Sequence, residues 1–203
     1  MKLHWSSRSP YVRKVMVAAH ELGLADRIER VRNVAAMGAP NPAIMADNPL
    51  SKIPTLVLDD GSVLFDSDVI VEYLDHLGGN RLLPPPGPAR WDALARQALG
   101  SGLMDVLILW RNEREKPAAQ QTEAWLAAFA TKTQATLDRL EQDADGLSAR
   151  PFDVGHIALG CALSYLDFRF DGLRWRDGRP ALAAWHDTFR QRPSAQATEA
   201  VDA

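Results

Sequence analysis

The chain has 203 residues, 46% apolar and 24% charged, with a formal net charge of −3. That length suits one large domain or two small ones, and the weakly acidic balance without a basic block excludes an electrostatic nucleic-acid surface. No run of about eighteen apolar residues occurs, which excludes a membrane-spanning helix, and the single cysteine, Cys161, excludes internal disulfides and cysteine-rich zinc sites.

Residues 2–5 are predicted as a short strand, and Met1-Lys2-Leu3-His4-Trp5 runs into patterned sequence without a signal peptide, so a cytoplasmic location is the default expectation. Ser9-Pro10-Tyr11-Val12-Arg13-Lys14-Val15 opens a helix over 10–22. Val12, Val15, Met16, Ala19 and Leu22 form its apolar stripe, Pro10 suits its first turn and Gly23 ends it. A second strand is predicted over Ile28 to Val34. The prolines and glycine of 35–49 imply a loop with one helical turn near Ala43 to Ala46. Thr55-Leu56-Val57-Leu58 and Ser62-Val63-Leu64-Phe65 flank Asp59-Asp60-Gly61, a hairpin pattern. Val69, Ile70, Tyr73, Leu74 and Leu77 mark an amphipathic helix. Strand, helix, strand, loop, hairpin and helix make a compact α/β unit with a mixed sheet.

Residues 78–88 hold four prolines and three glycines and read as a linker. Everything beyond reads as helix. Helices are expected over 89–115, over Thr122 to Asp143, over Asp153 to Phe170 and over Pro180 to Gln191, with a short one from Pro193. The run Ile157 to Leu166 is too apolar for a surface helix.

Three short features carry candidate chemistry. Ser9 stands at a helix N-terminus, where free N–H groups and the helix dipole favour an anion; it either caps the helix or meets such a ligand. Pro54 directly precedes a strand and removes a ladder donor. Either it is a simple edge-strand proline, or a cis Ile53–Pro54 bond aims free backbone of Ile53 at an extended peptide. Asp66-Ser67 precedes the next helix and caps it or receives a carboxylate.

Together these resemble the glutathione S-transferase family, in its bacterial YibF-like branch. The motifs are Ser9 to Val15, Asn48-Pro49-Leu50-Ser51-Lys52-Ile53-Pro54-Thr55-Leu56, Phe65-Asp66-Ser67-Asp68-Val69-Ile70-Val71-Glu72-Tyr73-Leu74 and Ala162-Leu163-Ser164-Tyr165-Leu166-Asp167-Phe168-Arg169. The resemblance implies an α/β thioredoxin-like N-terminal domain over 1–77, the linker 78–88, and an all-α helical-bundle C-terminal domain over 89–203 that binds the second substrate. It implies a cytoplasmic, homodimeric detoxification enzyme that takes glutathione as co-substrate and a small hydrophobic electrophile, with no metal, nucleic acid or membrane partner. It places the glutathione site on Ser9, Lys52, Ile53, Pro54, Asp66 and Ser67. Ser9 holds the activating hydroxyl position, with Ser6 and Ser7 as rivals. The alternative is a non-catalytic binding or regulatory module of the same fold.

The physical chemistry suits that placement. A free thiol has a pKa near about 8.5, so lowering it by about two units needs ~2.7 kcal/mol. A charge-assisted hydrogen bond supplies roughly 1.5–3 kcal/mol and a helix N-terminus up to ~2. Two departures stand out. Where many relatives begin the central helix of the second domain with a capping box, this chain has Asp153-Val154-Gly155-His156, which puts the stability of that helix in doubt. Cysteine is absent at position 9, so thiol-reductase chemistry is not expected, and Cys161 reads as a core thiol. The five histidines show no metal-ligand spacing, and Gly100-Ser101-Gly102 lacks a hydrolase pattern. Trp110, Arg111 and Arg114 line a substrate pocket or partner surface, or simply pack.

Overall fold

The computed structural model describes residues 1–202. Four strands form one mixed sheet in the order β2-β1-β3-β4. β1 (Lys2–Trp5) runs parallel to β2 (Glu29–Arg32), with α1 (Pro10–Glu21) as the crossover. β3 (Thr55–Val57) lies antiparallel to β1 and to β4 (Val63–Leu64), while α2 (Pro42–Met45) is the single turn expected in the loop. Gly23, at φ +71°, ends α1 where a side chain would be strained. α3 (Ser67–Leu77) packs beside α1.

The stripe on α1 understates its burial. Every residue from Val12 to Ala19 is buried, Arg13 and Lys14 included. One face meets the α/β half, and the other meets α6 (Val154–Arg169) of the helical half, so the helix is enclosed by both.

The helical half holds α4 (Pro88–Arg114), α5 (Glu123–Ala149), α6, α7 (Pro180–Arg190) and the short α8 (Pro193–Gln196). α6 is its axis and packs most heavily on α4. The Gly100-Ser101-Gly102 run lies at that contact: a Cβ on Gly100 would stand 2.6 Å from the Ala158 backbone. α5 continues past its expected end at Asp143, because Ala144 and Leu147 extend the buried stripe of Leu137 and Leu140 through a locally polar sequence.

Of the linker expected over 78–88, Pro88 already opens α4 and the rest is fastened. Asp75 is 1% exposed, and its carboxylate accepts from the N–H groups of Arg81, Leu82 and Leu83 at 2.8, 2.7 and 2.9 Å. Leu82 and Leu83 are buried, and the Leu82 carbonyl accepts from Val154 N at 3.1 Å, which ties the segment to the start of α6.

The doubt over the start of α6 is removed. Asp153 accepts from the N–H groups of Gly155 and His156 at 2.9 and 3.1 Å, and His156 Nδ1 lies 3.2 Å from the Asp153 N–H. The imidazole thus closes the capping box that an acid closes elsewhere, because a ring nitrogen with a free lone pair accepts as a carboxylate does. Its other nitrogen, Nε2, donates to the Leu147 carbonyl at 3.0 Å and fastens α5 to α6.

Candidate active site

Strand register brings the three candidate turns to one end of the sheet. His4 pairs with Thr55, so the chain leaving β1 toward Ser9 and the chain entering β3 from Pro54 meet there. Leu64 pairs with Leu56, so Phe65 and Asp66 leave β4 at the same end. α1 and the first turn of α3 are joined directly: Lys14 Nζ donates to Asp68 Oδ1 at 2.5 Å.

Ser9 is the N-cap of α1, and its Oγ accepts from Val12 N at 3.3 Å. Capping uses a lone pair and leaves the hydroxyl proton available, so the two roles open to Ser9 in the sequence are compatible. Of its rivals, Ser7 donates its proton to the Val201 carbonyl at 2.9 Å, and Ser6 accepts from the Arg8 N–H at 3.4 Å.

The Ile53–Pro54 bond is cis. β3 is not an edge strand, however; it is flanked by β1 and β4. The ladder starts only at Thr55, so Ile53 is left beyond the paired residues, and strand length rather than edge position frees its backbone. Asn48 holds this approach: its amide donates to Thr55 Oγ1 at 2.9 Å, and Thr55 Oγ1 donates to the Lys52 carbonyl at 2.8 Å. Pro54 is buried, Ile53 half-buried and Lys52 exposed.

Asp66 is the N-cap of α3, accepting from Asp68 N at 3.0 Å, and Ser67 is its buried first residue. The N–H groups of that first turn have no carbonyl partner within the helix. The Phe65–Asp66 bond is also cis, a feature with no sequence signal.

Several partners of these turns escaped the sequence. Tyr11 lies off the apolar stripe of α1, half-buried, and its hydroxyl donates to Asp105 on α4. Burial and that carboxylate push the phenol far above its ordinary range, so Tyr11 stays neutral. Lys14 is 1% exposed and bonds Ser101 on α4 at 3.0 Å as well as Asp68, which Gln97 also contacts. The start of α3 is thereby pinned to the helical half. The only signal for it was a lysine beside the apolar stripe of a helix.

Trp110 is packed, 9% exposed, with its ring 5.0 Å from that of Phe170, and the Arg114 guanidinium lies 4.8 Å from the Phe170 ring centre. Arg111 donates to the Tyr165 hydroxyl at 3.4 Å. Cys161 is fully buried, and burial pushes its thiol up to about 11, too high for thiolate chemistry. Among the described residues no group of His, Cys, Asp and Glu could hold a metal ion, and no helix is long and apolar enough to cross a membrane.

Comparison with known proteins agrees with this layout. The family model for the glutathione S-transferase N-terminal domain matches residues 8–77, and that for the C-terminal domain matches 123–188. An uncharacterized GST-like protein of Escherichia coli K12, YibF, is 34% identical over 98% of both chains. A glutathione transferase family member from Pseudomonas fluorescens Pf-5, solved with bound glutathione, is 43% identical, with 98% of each chain covered and a TM-score of 0.95. A second structure from Pf-5, with bound S-(propanoic acid)-glutathione, is 41% identical, with 99% of this chain and 100% of that one covered and a TM-score of 0.90. With a thioredoxin-like first half, an all-helical second half and these relatives along its whole length, the chain belongs to the glutathione S-transferase family.

Proposed function

We propose that the protein is a glutathione transferase that holds glutathione where the three turns meet and uses Ser9 to keep its sulfur ionised. The observation that carries this is the register at that end of the sheet, which gathers Ser9, Ile53 and Asp66-Ser67. Glutathione bound to a relative in the same family supports it.

In this proposal the cysteinyl backbone of glutathione pairs with Ile53, beyond the end of the ladder and beside Pro54. Its γ-glutamyl carboxylate takes the free N–H groups and hydroxyl of Ser67, and its ammonium faces Asp66. Lys52, exposed beside them, meets the other carboxylate. The Ser9 hydroxyl accepts the Val12 N–H and donates its own proton to the sulfur. A neutral hydroxyl does not deprotonate a thiol; it stabilises the thiolate, which then attacks an electrophilic carbon. The electrophile sits between Tyr11 and the α4–α6 face. The conjugate bound by the Pf-5 relative carries a carboxylic acid on sulfur, so an α,β-unsaturated acid is the first electrophile to try. The protein acts in the cytoplasm as a homodimer in detoxification, and Val69, Leu77 and Trp91, exposed on α3 and α4, are apolar surface of the kind a subunit interface covers.

The test is the thiolate absorbance of bound glutathione as a function of pH, with turnover, in wild type and Ser9→Ala. The thiol pKa should rise by about one to two units and the rate at neutral pH fall about 10- to 100-fold. Unchanged pKa and rate would remove Ser9 from the role. A folded protein that ignores glutathione and captures a macromolecular partner would favour the non-catalytic module.

A further inference from the structure

Arg13 lies one turn beyond Ser9 on α1, and its surroundings differ from those of its neighbour Lys14. It is 8% exposed, its Nη2 donates to the Ala195 carbonyl at 3.1 Å, and its Nε is buried without a partner among the described residues. A guanidinium cannot neutralise itself by losing a proton, so burial without a counter-charge is costly. Arg13 lines a cavity of about 340 Å³ and an adjoining one of about 160 Å³, and Arg190 and Glu199 line both.

The charges around the larger cavity are divided by depth. At its exposed rim Arg190 and Glu199 approach to 3.8 Å and offset one another. That leaves the positive Arg13 on the floor and the negative Asp187 on the rim, with the amides of Gln191 and Gln196 beside it. Arg176, whose charge Asp187 also feels, is already forked onto Asp167 at 2.5 and 2.8 Å. A planar guanidinium fork fits a carboxylate in particular. We infer that this cavity is a binding site for a small α-amino carboxylate, with its carboxylate on Arg13 and its ammonium toward Asp187.

The polar cluster behind the smaller cavity is not a second catalytic centre. Ser164 Oγ lies 3.0 Å from His186 Nε2, the spacing of a nucleophile and its base. Arg176 Nη2, which can only donate, lies 3.1 Å from His186 Nδ1. Nδ1 therefore carries the lone pair, and Nε2–H donates to Ser164, so the ring cannot take the serine proton.

Calorimetric titration with L-glutamate, and with glutarate as the same chain lacking the ammonium, tests the inference. Both are run with and without excess glutathione, so that heat persisting in the excess belongs outside the Ser9 site. Glutamate should bind saturably, Arg13→Met should weaken it by about tenfold or more, and Asp187→Asn should weaken glutamate about tenfold while sparing glutarate. No saturable heat, glutarate binding as well as glutamate, or glutamate binding indifferent to Arg13→Met would overturn it. Should Arg13→Met fail to fold, the exposed-site variants Asp187→Asn and Arg190→Gln decide: unchanged titrations in both would equally overturn it.

Discussion

The rim of the sheet in the α/β half and two buried clusters of the helical half dispose of their polar groups in opposite ways. In the first, Ser9 and Asp66 cap helices at the rim of short strands, and backbone beyond Thr55 and at the start of α3 is left without ladder or helix partners. In the second, buried polar side chains lock elements to one another: Arg96 to Asp153, His156 to the Leu147 carbonyl, and Arg176 to His186 to Ser164. Unspent donors invite a ligand, whereas spent ones add stability and specificity of packing. Chemistry is therefore expected at the first set and stability at the second. Substitutions in one region should leave the other's readout unmoved.

The largest effect expected concerns pH and the helical half. Burial pushes His186 from 6.5 down to about 3, the other charges around it, Asp167, Arg176, Arg190 and Arg13, being weaker influences. Its folded pKa lies below its unfolded one, so the unfolded chain takes up the proton first as pH falls. Stability from keeping the ring neutral is fully present above pH 6.5 and drains away as pH falls toward 3. One proton across that window corresponds to at most about 5 kcal/mol. Urea unfolding at a series of pH values should show this acid loss in wild type and a flatter profile in His186→Gln, whereas glutathione affinity at neutral pH should be unaltered. An identical slope in the variant would break the contrast.

Asp75→Ala comes next. It strips three N–H groups of residues 81–83 of their acceptor, two of them in buried residues, at a cost of about 3 kcal/mol. The expected result is a lower urea midpoint with the denaturant slope retained. A change below about 0.5 kcal/mol would mean that water replaces the carboxylate there.

Much of this arrangement was legible because turn chemistry is local. Ser9-Pro10, Gly23, Asp60-Gly61 and Asp66-Ser67 announced where elements begin and end, and the spacing of apolar residues gave most helices within a residue or two. What the sequence withheld was non-local. Lys14 pairs with Asp68, 54 residues away, and Ser101, 87 away, and nothing in a helical stripe names partners at that range. The interior position of β3 depends on β1 and β4 closing on both sides. α5 outran its expected end because packing of Leu147 overrode a sequence that looks like a stop. His156 was read as a missing acid, since the pattern for a capping box specifies a residue type and the physics specifies only an acceptor.

On the other side of the contrast stands Ser67→Ala. Ser67 is buried at the start of α3, where Asp66 rather than Ser67 supplies the cap. Stability should change little, while glutathione binding weakens by about tenfold, or about 1.4 kcal/mol, with the loss of one hydrogen bond to a carboxylate. Calorimetry on glutathione beside a thermal melt separates the two. A large drop in melting temperature with unchanged affinity would reverse the roles assigned to the two halves.

The smallest effect belongs to charges that serve neither purpose. Arg139 and Asp143 pair at 2.7 Å on α5 with side chains 68% and 48% exposed, four residues apart on one helical face. Water competes for both groups and two flexible side chains must be held in place, so such a pair contributes only ~0.3–0.5 kcal/mol. Arg139→Ala also exchanges one good helix former for another. Its urea midpoint should match wild type within about 0.5 kcal/mol, and glutathione affinity should be the same. A loss above about 1 kcal/mol would mean that the exposed face of α5 carries an interaction absent from the monomer, which would place a partner against the helical half and not against α3.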